Sequence, residues 1–148
     1  MISLIQRVTK AEVSIKEKIF SSISKGYVIL LGIFEDDSDS DVNKLVDKIT
    51  GLRIMSDKGD KMNLSIMDVK GEILVVSQFT LCADVSGGRR PSFIKAKKPD
   101  EAEKLYKSFV ERLSEKKLKI STGKFGEFMN VKIHNDGPVT IILNSKEG

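Results

Sequence analysis

The apolar run at residues 73–76, Ile-Leu-Val-Val, is the feature that most limits what this chain can fold into. A short, unbroken apolar run is typical of a β-strand covered on both faces, because a half-exposed strand alternates apolar and polar residues. Residues 27–34 form a second run of the same kind. We therefore expect a sheet whose central strands have other elements packed on both sides.

The pattern changes after the first run, where apolar and polar residues begin to alternate. If the strand continues, Phe79 and Leu81 lie on one face, and Gln78 and Thr80 lie on the other. The strand would then surface with an amide and a hydroxyl, at the end where open α/β sheets place ligand-binding groups. The simpler interpretation is a core strand with a polar end, which many strands have.

Two later segments have the periodicity of amphipathic helices. The first follows the acidic stretch 35–41, in which Ser38 or Asp39 is expected to cap a helix that ends at Gly51. The stretch lacks the central glycine and terminal glutamate of a calcium-binding loop, so helix initiation is the better interpretation. The second helix is expected to begin at Pro99. The apolar faces consist of Val42, Leu45, Val46 and Ile49 in the first helix and Ala102, Leu105, Tyr106, Phe109, Val110 and Leu113 in the second.

The remaining segments have strand character. Residues 2–23 predict a β-hairpin or meander, and residues 52–55 predict a short strand. Near the C-terminus, residues 129–134 and 139–143 predict two strands joined by the turn-forming sequence 135–138, Asn-Asp-Gly-Pro. With both helices on one face of a sheet and the remaining strands on the other, the expected fold class is α/β with three layers, β/β/α.

The composition is that of a single folded domain covering residues 1–148. Hydrophobic residues make up 40% and charged residues 31%, which excludes an intrinsically disordered chain. No apolar run approaches the ~18 residues of a membrane span, and no signal peptide is recognisable. We therefore expect a cytoplasmic protein with no membrane partner.

The scarcity of cysteine and histidine narrows the possible chemistry. Cys82 is the only cysteine, which excludes an intrachain disulfide and fits a reducing compartment. It could pass for a nucleophile, but a small buried side chain is the simpler interpretation. His134 is the only histidine and is expected at the surface. With so few ligands, an ordinary zinc site is not expected.

Two stretches of the sequence belong together: Ser77-Gln78-Phe79-Thr80 and Asn135-Asp136-Gly137-Pro138-Val139-Thr140. As a pair they resemble the signature motifs of the D-aminoacyl-tRNA deacylases, the D-tyrosyl-tRNA deacylase family. Shorter matching pieces are Gln6-Arg7-Val8, Leu52-Arg53-Ile54, residues 59–63, Arg90-Pro91-Ser92-Phe93 and Thr122-Gly123-Lys124-Phe125-Gly126. Each piece is weak alone, and their order and spacing over nearly the whole chain make the match specific.

The resemblance implies the same three-layer fold, a homodimer with active sites at the subunit interface, and hydrolysis of the ester bond of D-aminoacyl-tRNA. It implies that L-aminoacyl esters are rejected and that glycine mischarged onto the alanine tRNA is a further substrate. It also implies RNA-assisted catalysis without metal, cofactor or covalent intermediate, and a cis peptide at Gly137-Pro138 inserted into the partner subunit's pocket. The site residues implied are Ser77, Gln78, Phe79 and Thr80 as catalytic, Gly137 and Pro138 as substrate-selecting, and Arg7, Met129, Asn135 and Thr140 as supporting.

The residues themselves favour substrate-assisted chemistry over a nucleophilic side chain. The hydroxyl of Thr80 would need a base within reach, and His134 is poorly placed by its strand face. Activation by a lysine stays open. An aminoacyl ester is already activated, and the neighbouring ribose hydroxyl can assist water. The protein then needs only to orient the ester and to stabilise the oxyanion with backbone N–H groups, for which Phe79 and Thr80 are candidates.

Two other functions fit the same residues. The chain could be a non-catalytic tRNA-binding module of this fold, or a hydrolase of small esters that uses Thr80 directly. Deacylation of D-aminoacyl-tRNA distinguishes the deacylase from the non-catalytic binding module. The variant Thr80→Ala distinguishes the deacylase from the small-ester hydrolase.

The longest segment without periodicity, residues 83–99, contains two glycines beside two arginines and a cluster of lysines. Loops of this length are usually functional or mobile. Guanidinium and ammonium groups bind phosphate, and the net charge of +4 favours polyanions. The predicted tRNA contacts are Arg89, Arg90, Lys95, Lys97 and Lys98. The alternative is a solvated loop.

Overall fold

A computed structural model describes residues 1–147 of the chain. They form a six-stranded mixed sheet, a separate two-stranded hairpin, two α-helices and a short 3₁₀ turn. The elements are β1 (Ile2–Ile15), β2 (Lys18–Ile23), β3 (Gly26–Gly32), α1 (Asp39–Gly51), β4 (Met55–Ser56), β5 (Met62–Leu64), β6 (Glu72–Ser77), the 3₁₀ turn (Phe79–Cys82), α2 (Pro99–Glu115), β7 (Lys119–Thr122) and β8 (Asn130–Asn144). No helix among the described residues is long and apolar enough to cross a membrane.

Strands β3 and β6 lie side by side and parallel at the centre of the large sheet. Their side chains alternate between two apolar cores, which we call the strand-side core and the helix-side core. Val28, Leu74 and Val76 face the strand-side core, and Tyr27, Ile29, Ile73 and Val75 face the helix-side core. All of them are buried. The prediction that these two strands are covered on both faces is confirmed.

The long strands β1 and β8 pair antiparallel over most of their length, and their register shifts on either side of Val8. The first half of β1 pairs with β3, and its second half pairs with β2. Beyond the shift, β2 and the adjoining halves of β1 and β8 fold over β3 and β6 and enclose the strand-side core. The edge of this folded layer meets β7, where Ser21 Oγ donates a hydrogen bond to the Thr122 carbonyl at 2.7 Å.

Helices α1 and α2 cover the other face of the sheet and complete the helix-side core with their apolar stripes. As predicted, α1 begins after the Ser38 cap and ends at Gly51, and α2 begins at Pro99. The Tyr106 hydroxyl of α2 donates to the Val75 carbonyl at 2.8 Å, which fastens this helix to β6. The three-layer β/β/α fold is confirmed.

Several predicted strand boundaries are wrong. The hairpin predicted within residues 2–23 is present as the antiparallel pair of β1 and β2, but β1 runs unbroken over residues 2–15 because β8 offers it a partner along its length. Of residues 52–55, only Met55 is in a strand, because the Leu52 N–H still bonds to the Ile49 carbonyl at the end of α1. The short strands β5 and β7 are not revealed by periodicity, since neither is long enough to establish a pattern.

The second motif does not form the predicted hairpin turn. Both predicted C-terminal strands belong to β8 and pair with β1 rather than with each other. The register passes from the Asn135 pair directly to the Thr140 pair, so residues 136–139 bulge out of the ladder. Gly137 has a φ of +127°, and Pro138 has no N–H to donate, so both residues suit an interruption of a strand.

Candidate active site

An open cavity of about 870 Å³ lies at the carboxyl ends of the parallel strands β3 and β6. This volume is at the upper end of the range of small-molecule sites. Four of the chain's seven phenylalanines line the cavity: Phe79, Phe93, Phe125 and Phe128. The polar side chains of the wall are Ser77, Gln78, Thr80, Lys97, Lys98 and Glu127. An aromatic wall with few polar groups is typical of a site for a ligand that contains flat rings.

All four residues of the first motif line this cavity. β6 ends at Ser77, which forms the last pair with β3. The predicted alternation beyond this point is wrong, because the Leu81 N–H bonds to the Gln78 carbonyl at 3.2 Å and the chain enters the 3₁₀ turn. Gln78 Nε2 donates to Thr80 Oγ1. The amide and the hydroxyl therefore meet through a turn and not through a shared strand face.

The 3₁₀ turn leaves two backbone N–H groups free at the cavity wall. The first N–H groups of a helical turn have no partner within it. Here they belong to Phe79 and Thr80, and no hydrogen bond to another group of residues 1–147 occupies either. The Gln78 N–H, in contrast, donates to the Leu31 carbonyl at 2.8 Å. Two adjacent free donors are what an oxyanion hole requires.

Each ionisable side chain of the cavity wall either contacts a residue outside the first motif or is exposed to solvent. Lys97 Nζ donates to the Glu35 carbonyl at 2.6 Å. The Glu127 carboxylate lies 3.8 Å from Lys124 Nζ. Lys98 is exposed immediately before α2. The cavity wall therefore carries two lysines, and the charge of its single carboxylate is offset by Lys124.

The Thr80 hydroxyl has no base beside it. Its partner is the Gln78 amide, and an amide does not accept a proton at neutral pH. His134 is exposed, as predicted, and does not line the cavity. Residues 1–147 contain no group of three or more His, Cys, Asp or Glu side chains that could hold a metal ion. The arrangement supplies hydrogen-bond donors and not a nucleophile-base pair.

The bulge in β8 is held by Arg7, a buried residue of β1. Arg7 Nε donates to the Asp136 carbonyl at 3.0 Å, and Nη1 donates to the Ile54 carbonyl at 2.8 Å. The Gly137–Pro138 peptide is cis, and both of its residues are exposed. A buried guanidinium bound to carbonyls of two different segments makes this bulge a braced corner that faces solvent.

The cavity and the braced bulge are separate features of the chain. Met129 lines the cavity together with the first motif. The predicted site residues that do not line it are Arg7, Asn135, Gly137, Pro138 and Thr140. The structure thus brings one motif and Met129 into a single site and leaves the second motif outside it. The roles assigned to these residues stay predictions.

The basic loop is closed at its base by two backbone hydrogen bonds between Asp84 and Ser92. Lys95 Nζ lies 2.8 Å from the Asp84 carboxylate, so its charge is already paired. The other predicted phosphate contacts divide into Lys97 and Lys98 at the cavity and Arg89 and Arg90 in the exposed loop outside it. Only the first pair lines the same cavity as the motif residues.

The aromatic wall is the part of the site that sequence reasoning predicts least, because it assigns a site role only to Phe79. Phe79 packs edge-on against Phe93 with ring centroids 5.0 Å apart, and Phe125 lies 5.5 Å from Tyr106. A phenylalanine in a sequence ordinarily indicates core, and periodicity does not mark these residues as cavity-lining. The available signals are that Phe93 and Phe125 fall in the shorter matching pieces of the family resemblance and that Phe128 lies in a segment without helical periodicity.

Known proteins resemble this chain over almost its whole length. The family model described as D-Tyr-tRNA(Tyr) deacylase matches residues 4–144. The chain belongs to this family. It is 54% identical over 147 residues to the D-aminoacyl-tRNA deacylase of Sulfurihydrogenibium sp. (strain YO3AOP1), with 99% of each chain covered. It is 52% identical over 147 residues to the D-aminoacyl-tRNA deacylase of Clostridium botulinum (strain Eklund 17B / Type B), again with 99% of each covered.

Two solved structures share the fold. The c-Myc DNA Unwinding Element Binding Protein superposes with a TM-score of 0.92 at 42% identity, covering 97% of this chain and 98% of that one. A probable eukaryotic D-amino acid tRNA deacylase superposes with a TM-score of 0.83 at 16% identity, covering 96% and 97%. The family's fold therefore persists where most of the sequence has changed.

Cys82 ends the 3₁₀ turn but does not line the cavity. Its side chain is 2% exposed and packs beside Gly32. Burial raises the pKa of the thiol to about 11, and the Asp37 carboxylate adds to the increase. The interpretation of Cys82 as a small buried side chain is confirmed.

We expect Cys82 to resist alkylation in the folded protein. The thiolate is the reactive form, and with a pKa near 11 roughly one thiol in a thousand is ionised at pH 8. Iodoacetamide at pH 8, followed by mass spectrometry, should leave the native protein unmodified. The same treatment in concentrated urea should modify it fully. Rapid modification of the native protein would contradict the buried position.

Proposed function

We propose that this chain hydrolyses the ester bond of D-aminoacyl-tRNA and releases the D-amino acid and the tRNA. The observation that supports this best is the pair of free N–H groups of Phe79 and Thr80 at the wall of an aromatic cavity. A terminal aminoacyl-adenosine offers a flat base, a ribose and an ester carbonyl, and a cavity of about 870 Å³ has room for all three. Relatives at 54% and 52% identity are named for this activity.

Water is the nucleophile in the proposed reaction. The ribose hydroxyl next to the ester binds and orients the water as it attacks the carbonyl carbon. The carbonyl oxygen becomes an oxyanion that accepts hydrogen bonds from the N–H groups of Phe79 and Thr80. The ester C–O bond then breaks, one proton of the attacking water passes to the departing ribose oxygen, the other is released to solvent, and the amino acid leaves as a carboxylate. Removal of one such donor from an enzyme typically costs about 10²–10³ in rate, so two of them supply substantial catalysis.

In this proposal the braced bulge of a second copy of the chain rejects L-aminoacyl esters. Gly137 and Pro138 are exposed and do not line their own cavity, so they are available to the cavity of a partner. Carbonyls of the bulge accept the substrate's ammonium group and leave no space for an L side chain. A D side chain points away from them, and glycine has none. Glycine mischarged onto the alanine tRNA is therefore a substrate too.

The proposal includes a homodimer, and the same placement supports it. Leu4 pairs with Ile142, and Gln6 pairs with Thr140, on the sheet face opposite the helices. Ile142 is 63% exposed although it is apolar. An apolar residue on an open sheet face beside polar neighbours fits a protein interface. Two copies joined by this face would each offer their bulge to the other.

The RNA extends from the cavity along the basic loop. Lys97 and Lys98 line the cavity, and Arg89 and Arg90 are exposed in the same loop. Such groups bind the phosphates of a nucleic acid without reading its sequence. Lys95 contributes less, because it is paired with Asp84. The protein acts in the cytoplasm, where its tRNA substrates are.

The function is tested by deacylation of one tRNA charged with a D-amino acid, with its L enantiomer or with glycine. We expect the D and glycyl esters to be hydrolysed and the L ester to react about a hundredfold more slowly, because the bulge excludes the L side chain. Equal rates on the D and L esters would contradict chiral selection. Binding of tRNA without any hydrolysis would favour the non-catalytic tRNA-binding module.

The variant Thr80→Ala should keep its deacylase activity within about tenfold of the unmodified protein, because backbone N–H groups and not the hydroxyl carry the reaction. The measurement is single-turnover hydrolysis of D-aminoacyl-tRNA, with circular dichroism to confirm folding. A loss of several orders of magnitude in a folded variant is the signature of a nucleophile. That result would favour the small-ester hydrolase that uses Thr80 directly.

The variant Gly137→Ala should lower the ratio of D to L deacylation rates by about tenfold or more, since a displaced corner no longer excludes the L side chain. A Cβ there would lie 2.9 Å from Val139 Cγ2 and 3.1 Å from Arg7 Nη2, at a φ of +127° that L residues rarely adopt. The matched control is Gly51→Ala, where a Cβ meets nothing within 4 Å. An unchanged ratio in Gly137→Ala would remove the bulge from substrate selection.

A further inference from the structure

Phe128 has 98% of its surface exposed, the largest value among the exposed apolar side chains of residues 1–147. It forms part of the wall of the cavity described above. A phenylalanine in full contact with water at the edge of a ligand cavity gains nothing for folding. In the single chain its ring is therefore free to contact a ligand that enters the cavity.

Phe128 lies in a segment whose two flanks are held by inward-facing side chains. On one side of it, Phe125 packs inward against Tyr106. On the other side, Met129 Sδ accepts a hydrogen bond from the Lys124 N–H at 3.4 Å and fills the space beside Gly123. With both flanks turned inward, residues 126–128 form a short projection that presents the Phe128 ring to solvent.

The surroundings of this ring suit a ligand that is both aromatic and anionic. Phe79, 57% exposed, lines the same cavity together with Lys97 and Lys98. Glu127, the neighbour of Phe128, is offset by Lys124 at 3.8 Å. An exposed aromatic ring beside cations is how proteins hold single-stranded nucleic acid, with the bases stacked on the ring and the phosphates at the cations.

We propose that Phe128 is the stacking platform for the base of the nucleotide that precedes the terminal adenosine of the tRNA. The inference rests on the proposed function, which seats the terminal aminoacyl-adenosine in the cavity. The 3′ end of tRNA is single-stranded, so the base before the adenosine is free to stack on a protruding ring. Phe128 is thus a positioning residue: it holds the strand where it leaves the cavity and does not touch the reacting ester.

The first test compares two substrates, the D-aminoacyl ester of adenosine and the D-aminoacyl ester of the trinucleotide CCA. In the unmodified protein the CCA ester should have the lower KM. Phe128→Ala should reduce this advantage about tenfold, the order expected for one lost base stack, and Phe128→Trp should restore it. The matched control is Phe20→Ala, an exposed phenylalanine of β2 that does not line the cavity and should not alter the advantage.

The second test does not depend on hydrolysis. The chain contains no tryptophan, so Phe128→Trp introduces a single fluorophore. Uncharged CCA should quench its fluorescence by stacking, and adenosine alone should quench it far less. A tryptophan placed instead by Phe20→Trp should respond to neither ligand.

The outcomes separate this inference from the function on which it rests. If the unmodified protein hydrolyses both esters and Phe128→Ala leaves the KM advantage unchanged, the stacking platform is wrong and the deacylase stands. If Phe128→Ala instead dissociates the protein into monomers, as judged by sedimentation, the ring belongs to a subunit interface and the inference is overturned. If the unmodified protein hydrolyses neither ester nor D-aminoacyl-tRNA, the proposed function itself fails.

Discussion

The pairing of β3 with β6, buried on both faces, is the constraint on which the rest of the structure depends. One face requires the amphipathic helices, and the other requires a second layer, which the folded-over parts of β1, β2 and β8 provide. Inside this stack a polar side chain would have to be desolvated. Polar side chains are therefore favoured from Ser77 onward, where the ladder ends. The cavity opens at that point, and the 3₁₀ turn exposes the N–H groups of Phe79 and Thr80 there.

A second constraint comes from the long strands β1 and β8, which change layer where their register shifts. The bulge at that place pushes Gly137 and Pro138 out of the ladder. Arg7 lies beneath it, and a buried charge is tolerated only when its donors are satisfied. Its hydrogen bonds to the Asp136 and Ile54 carbonyls, together with the Asp136 carboxylate 3.5 Å from Nε, contribute to that need and hold the exposed corner in place. Arg7 thus stabilises the bulge and also fixes the orientation of Gly137 and Pro138, to which we assign substrate selection.

Periodicity predicts the elements whose apolar residues recur at one regular spacing. It fails where pairing with residues distant in the sequence determines the structure. The buried run at residues 73–76 and both helices are recognisable because their burial is uniform along the element. The segment 135–138 has the residues of a turn, yet it becomes a bulge because β1 pairs with both of its flanks. The motif residues at 77–80 can be found from the sequence, but their 3₁₀ geometry cannot. The exposure of Phe128 depends on the inward packing of its neighbours, and the local sequence pattern does not reveal that packing.

The claim that the protein positions the ester while the RNA assists the chemistry is tested most directly by changing one group of the substrate. The measurement is single-turnover hydrolysis of D-aminoacyl-tRNA esterified at the 3′ oxygen, with the terminal ribose bearing either a 2′ hydroxyl or a 2′ hydrogen. The free N–H groups of Phe79 and Thr80 serve both substrates equally, so only the assistance to water differs. We expect the 2′-deoxy substrate to react at least about a hundredfold more slowly, the usual contribution of a positioned proton-transfer group. Equal rates on the two substrates would contradict RNA assistance and would require a base from the protein.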